Sequence, residues 1–158
     1  MRGIYVALSS RMKTAQLETS PSVHDMDGAS ISLPMGLLGF EKTKRFILQQ
    51  VSAEDALLWF EVADSPGKGF YVLNPTGLSE SPVPELCSQD LEFLGLTELA
   101  GALVLNLAIV APSGAVTLYP RAPIVVNPQT RVGKQVVPNN VDRIPLSQPL
   151  DMLAAVAA

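Results

Sequence analysis

ALLWFEVADSPGKGFYVLNP, Ala56 to Pro75, is the stretch that decides the fold class. ALLWFEVA is rich in side chains that suit a pleated, half-buried surface, with Trp59 and Phe60 as the bulky packing groups. SPGKG, Ser65 to Gly69, is a turn: proline presets one φ and the two glycines supply conformations other residues avoid. FYVLNP, Phe70 to Pro75, is a second strand that Pro75 stops. Two apolar runs around a tight turn predict a β-hairpin.

The same pattern repeats on both sides. Upstream, KTAQLET (13–19) is a weak strand, ASISLP (29–34) a short one, and RFILQQV (45–51) another. Downstream, ALVLNLAIVA, the turn PSG, AVTLYP, APIVVNP and RVGKQVV follow at short spacing, and VPELC (83–87) is a further short strand candidate. Thirteen prolines and eleven glycines punctuate these runs, which favours many short strands over long helices. SQDLEFLGL (88–96) is the one helix expected: Ser88 caps it, Asp90 suits its first turn and Gly95 ends it. The predicted class is all-β, a small antiparallel β-barrel-like fold with one short helix.

A chain of 158 residues, 47% of them hydrophobic, is read as one domain able to bury roughly 70% of its unfolded surface. Residues 1–12 are expected to be a flexible N-terminal extension, with Met12 an alternative start. Residues 13–147 form the barrel domain, and 148–158 a C-terminal tail. The longest apolar run, GALVLNLAIVA (101–111), is too short to span a membrane. MRGIYVALSSRMK lacks an apolar core followed by a small-residue cleavage site, so a cytoplasmic location is expected. The single cysteine, Cys87, fits a reducing compartment.

The net charge of −4 is unevenly spread. Between Glu54 and Glu98 nine acidic residues accompany one base, Lys68. From Gly101 onward four bases (Arg121, Arg131, Lys134, Arg143) accompany two acids (Asp142, Asp151). Such a chain is a poor binder of phosphate backbones, and no nucleic-acid partner is expected. Its acidic middle favours a basic protein partner, or serves only as a solvated surface.

Catalytic equipment is sparse. One histidine and one cysteine, far apart, cannot assemble a zinc site, and HDMDG (24–28) lacks the spacing of a calcium loop. A histidine-based triad would have to use His24, in a polar turn. SPGKGF places Gly69 where a phosphate loop needs Ser or Thr, and GLLG (36–39) is followed by no basic helix. No catalytic residue, metal or cofactor is expected.

LPMGLLGFE (33–41) sets four large apolar side chains among one proline and two glycines, a loop as apolar as a core strand. The preferred reading folds Leu37, Leu38 and Phe40 back over the barrel mouth, with Phe40 in the core and Glu41, Lys42, Lys44 and Arg45 in water. The alternative leaves part of the loop exposed as a docking patch.

That loop, then KRFILQQ, LLWFEVADSPGKGFYVLNP, APIVVNPQTRVGKQVV and RIPL, in this order from Ile31 to Leu146, resembles the flagellar assembly factor FliW family. Pro120, in VTLYPR, departs from the family pattern and marks an altered edge strand or bulge. The resemblance implies a non-enzymatic β-barrel protein of the bacterial cytoplasm with two partners, flagellin and the RNA-binding repressor CsrA. It is expected to be monomeric when free, with no direct nucleic-acid or membrane contact. By their chemistry, the partner-binding candidates are the acids Glu54, Asp55, Glu61 and Asp64 and the strand-end amides Asn74 and Asn127. A β-barrel module holding a small ligand near Trp59, Tyr71 and Tyr119 is the runner-up, and a Ser-Lys enzyme the third reading.

Overall fold

The computed structural model describes residues 26–51, 57–75 and 82–150. The expected strand at 13–19, His24, Glu54, Asp55 and most of the C-terminal tail lie outside these residues. The strands are β1 (Ala29–Ser32), β2 (Arg45–Gln50), β3 (Leu57–Val62), β4 (Gly69–Leu73), β5 (Leu103–Val110), β6 (Val116–Asn127), β7 (Val132–Gln135) and β8 (Gln148–Leu150). Among the described residues one α-helix, α1 (Ser88–Leu94), stands between β4 and β5, followed by a 3-10 turn at Leu99–Gly101.

Hydrogen bonding runs in the order β5-β4-β3-β2-β1-β7-β6-β8, and β5 also pairs with β6. That last pairing closes the first seven strands into a barrel and leaves β8 as an extra strand on β6. The described pairs are antiparallel except β1 with β7, which run parallel at Ser32↔Val132. The barrel is therefore mixed rather than wholly antiparallel.

Alternation along the strands fills the barrel. Phe46 and Leu48 of β2, Leu58 and Phe60 of β3 and Val72 of β4 point inward beside Ile31, Leu105 and Ile124. Phe46 and Phe60 stack face to face at 4.6 Å. Each large side chain removed from water contributes about 1.5–3 kcal/mol. The outer face of the same hairpin carries Trp59 against Tyr71, edge to face at 4.9 Å.

Two strands expected around Pro120 are one. β6 runs unbroken from Val116 to Asn127 because the irregularity is absorbed in a bulge. Leu105 pairs with Ile124 and Leu107 with Tyr119, so Asn106 alone faces Pro120, Arg121, Ala122 and Pro123. Prolines sit where the ladder has already lost its register. VPELC forms no strand; Asn140 clasps it instead, with Oδ1 accepting from the Glu85 N–H at 3.0 Å and Nδ2 donating to the Val83 carbonyl at 3.0 Å. Residues 148–150, read as tail, form β8 against Val116–Leu118.

Helix α1 packs outside the barrel, where Leu94 joins Ala102, Val104, Val125 and Val136. Its N-cap is Cys87, not Ser88, and offers no side-chain hydrogen bond; its end is Gly95 at φ 71°. Only a residue comfortable at positive φ closes a helix this way. No helix among the described residues is long and apolar enough to cross a membrane.

Candidate protein-docking site

The loop between β1 and β2 divides its apolar side chains. Gly36 at φ 68° and Gly39 at φ 88° turn the chain back on itself, and Leu37 and Phe40 bridge as a minimal hairpin. The Phe40 N–H donates to the Leu37 carbonyl at 2.7 Å. A Cβ on Gly36 would lie 2.6 Å from the Glu41 carbonyl oxygen, so no larger residue fits. Leu37 is buried, whereas Leu38 is 84% exposed and Phe40 38%. Phe40 is thus not core, and Leu38 does not fold back. Phe40 leans on Phe70 at 6.0 Å between ring centres.

Polar contacts hold this backbone although its side chains face water. Gln135, on β7, accepts the Leu38 N–H at 2.9 Å and donates to the Ala122 carbonyl at 3.3 Å, so one amide joins the loop to the β6 bulge. The Glu41 carboxylate accepts the Gly39 N–H at 2.9 Å, and the Lys44 ammonium donates to the Glu41 carbonyl at 2.6 Å. The Gly39 and Glu41 amides, helped by the Lys44 charge, lower the Glu41 pKa, against a smaller opposing effect of burial.

The barrel wall opens beside the loop. The β3–β4 ladder reaches Glu61↔Gly69 and the β5–β6 ladder reaches Val110↔Val116, but β4–β5 pairing ends at Tyr71↔Ala108. In that gap lies an open groove of about 400 Å³, lined chiefly by Leu38, Phe40, Phe70, Leu107, Ile109 and Tyr119. Ile109 is 59% exposed on the wall opposite Leu38. Three large apolar side chains exposed around one concavity, on a restrained backbone, make a surface suited to another polypeptide. Of the residues expected around a small ligand only Tyr119 lines this groove; Trp59 and Tyr71 stand on the outer sheet face, and the Gln135 amide at the lining is engaged by Leu38 and Ala122.

Of the predicted acids, the two that are described, Glu61 and Asp64, do not line the groove. Glu61 sits on the outer face of β3, where its carboxylate accepts from Trp59 Nε1 (3.2 Å), the Gly67 N–H (3.2 Å) and Gln49 Nε2 (3.3 Å). It clasps the hairpin turn. Asp64 is exposed in that turn, and Asn74 follows β4 half-buried with interactions of its own. Asn127 is 6% exposed: Nδ2 donates to the Leu94 carbonyl at 2.8 Å, and Oδ1 accepts the Gln129 N–H at 3.0 Å. Its amide caps the end of α1 and is almost wholly buried.

Four further acids of the acidic stretch lie in and around α1. Glu85, Glu92 and Glu98 are exposed, while Asp90 is buried and paired with Lys134 at 2.6 Å. Lys134 also lies over the Phe93 ring, 5.3 Å from its centre. The residues missed in the sequence were Phe70, Leu107, Ile109 and Gln135. A signal for Ile109 was present: LVLNLAIV is apolar on both faces, which leaves one face to be covered or exposed. Among the described residues no cluster of His, Cys, Asp and Glu could hold a metal ion.

A family model described as FliW protein matches residues 13–150. The flagellar assembly factor FliW of Leptospira interrogans (strain Fiocruz L1-130) is 31% identical over 113 residues, covering 70% of this chain and 75% of its own. That of Desulfovibrio desulfuricans is 30% identical over 132 residues, covering 80% and 79%. A crystal structure of the flagellar assembly factor FliW superposes with a TM-score of 0.67 at 26% identity, covering 76% of this chain and 84% of the other.

Proposed function

The chain belongs to the FliW family of non-enzymatic flagellar assembly factors, and from that premise we propose that it binds flagellin and the translational regulator CsrA, one at a time, in the bacterial cytoplasm. Held by flagellin, it leaves CsrA free to repress flagellin synthesis. Once export drains flagellin, the released chain captures CsrA and lifts the repression.

Each partner suits a different surface. An exported subunit offers an apolar helix or unpaired segment, and the groove between Leu38 and Ile109 is the apolar surface that accepts one. CsrA is basic, and the acids Glu54, Asp55, Glu61 and Asp64 suit its charge, with Asn74 at the adjoining strand end. Asn127, buried against the Leu94 carbonyl, would act on partner binding through the seating of α1.

The observation that carries the proposal is a groove with exposed apolar walls whose loop is locked by Gln135. Co-purification from the native cell at low salt tests it. The wild-type chain is expected to recover both partners, and Leu38→Asp to lose flagellin while keeping CsrA. Glu54→Lys with Asp64→Lys is expected to slow CsrA association. Recovery of neither partner by the wild-type chain refutes the proposal.

A further inference from the structure

We infer that the segment received by the mouth groove is apolar at its centre and acidic on its flanks. This rests on reading the groove as a docking site and adds the chemistry of what enters it.

The groove lining selects the centre. Leu38, Phe40 and Ile109 are all substantially exposed, and Phe70, Leu107 and Tyr119 form the floor between them. Burying these surfaces against water-soluble side chains would gain nothing, so the inserted residues are large and apolar.

The rim selects the flanks. Lys42 and Lys44 stand two and four residues after Phe40, Lys68 two residues before Phe70, and Arg121 two residues after Tyr119; all four are exposed. The described acids near the same opening are Glu41 and Asp64. Glu41 is held in the loop, its carboxylate accepting the Gly39 N–H and its carbonyl the Lys44 ammonium, and with Asp64 it offsets part of the positive charge of these four bases. Arg45 belongs to the outer face, with its guanidinium donating to Ser30 Oγ at 3.3 Å. Arg121 donates through Nε to the Ile144 carbonyl at 2.7 Å, which fixes its stem beside the bulge that carries Tyr119. The opening therefore carries an excess of positive charge on a chain whose net charge is −4. A segment with basic flanks is drawn to the acids elsewhere and repelled at this rim. A segment with acidic flanks is steered to it.

Three labelled synthetic peptides test the inference. They share one apolar core of Leu, Ile and Phe and carry paired Asp, Ser or Lys at both ends. Anisotropy titrations use the full chain. At low ionic strength the Asp-flanked peptide is expected to bind roughly 5-fold tighter than the Ser-flanked one, with the Lys-flanked peptide weakest. The spread should collapse as added salt shortens the screening length. Lys42→Glu with Lys68→Glu should reverse the order, and Leu38→Asp should weaken all three, with circular dichroism confirming that both variants fold. Equal affinities that still depend on Leu38 overturn the acidic flanks and leave the groove standing. Binding of none, or binding indifferent to Leu38→Asp, overturns both.

Discussion

At the mouth of the barrel Leu38 stands 84% exposed on a loop whose backbone is bonded to Gln135, whereas on the flank Leu94 is 2% exposed beneath a helix that turns Glu92 to water. Both regions cover the same sheet. Helix α1 turns Leu94 onto Val104, Val125 and Val136 and Glu92 to water, and its one buried charge, Asp90, is paired with Lys134. The β1–β2 loop buries Leu33 and Leu37 but satisfies its polar backbone while leaving Met35, Leu38 and Phe40 exposed. An element that only completes a fold hides its apolar atoms; one that receives another chain keeps some in reserve at a modest stability cost.

Substitutions can break this contrast. The largest loss of stability is expected on the flank: Leu94→Ala should lower it by about 3 kcal/mol in urea denaturation, as a buried leucine leaves a cavity. Binding of an apolar peptide at the mouth should be unchanged in the folded fraction. Gly36→Ala comes next, at about 2 kcal/mol, because a Cβ at φ 68° drives into the Glu41 backbone. Here peptide binding should fall as well, since the hairpin that presents Leu38 is lost. A Gly36→Ala variant with wild-type peptide affinity would show that the loop needs no fixed shape.

Asn127→Ala should cost about 1.5 kcal/mol, leaving the Leu94 carbonyl without its amide donor. Faster hydrogen exchange confined to α1 would confirm that its role is the cap. The smallest effect concerns Glu41. Its folded pKa lies below its unfolded one, so its contribution is complete above the ordinary glutamate range and is lost as pH falls through the folded value. Acid titration followed by NMR should shift the Gly39 amide at the mouth and leave the Leu94 amide on the flank unmoved. Glu41→Gln should abolish that transition.

Much of the fold was legible in the chain. The hairpin at 56–75, the strands at 29–34 and 45–51, and the helix stopped by Gly95 follow from side-chain alternation and turn residues that act over a few positions. The candidate site was half legible. LPMGLLGFE was recognisable as an apolar loop, yet which of its leucines faced inward was not, because the choice depends on Gln135, 97 residues away. Asn127 likewise read as a strand end, and its cap on Leu94 spans 33 residues.

What this sequence determined by itself is the list of strands and their punctuation, since backbone propensity and period-two patterning are local properties. Tertiary structure alone decided the parallel β1–β7 seam, the passage of β6 through two prolines, the recruitment of residues 148–150 and the open gap between β4 and β5. Each of these depends on pairing between segments distant in the chain. Such pairing forms only when the whole barrel closes, and its energy is not written in any single stretch of residues.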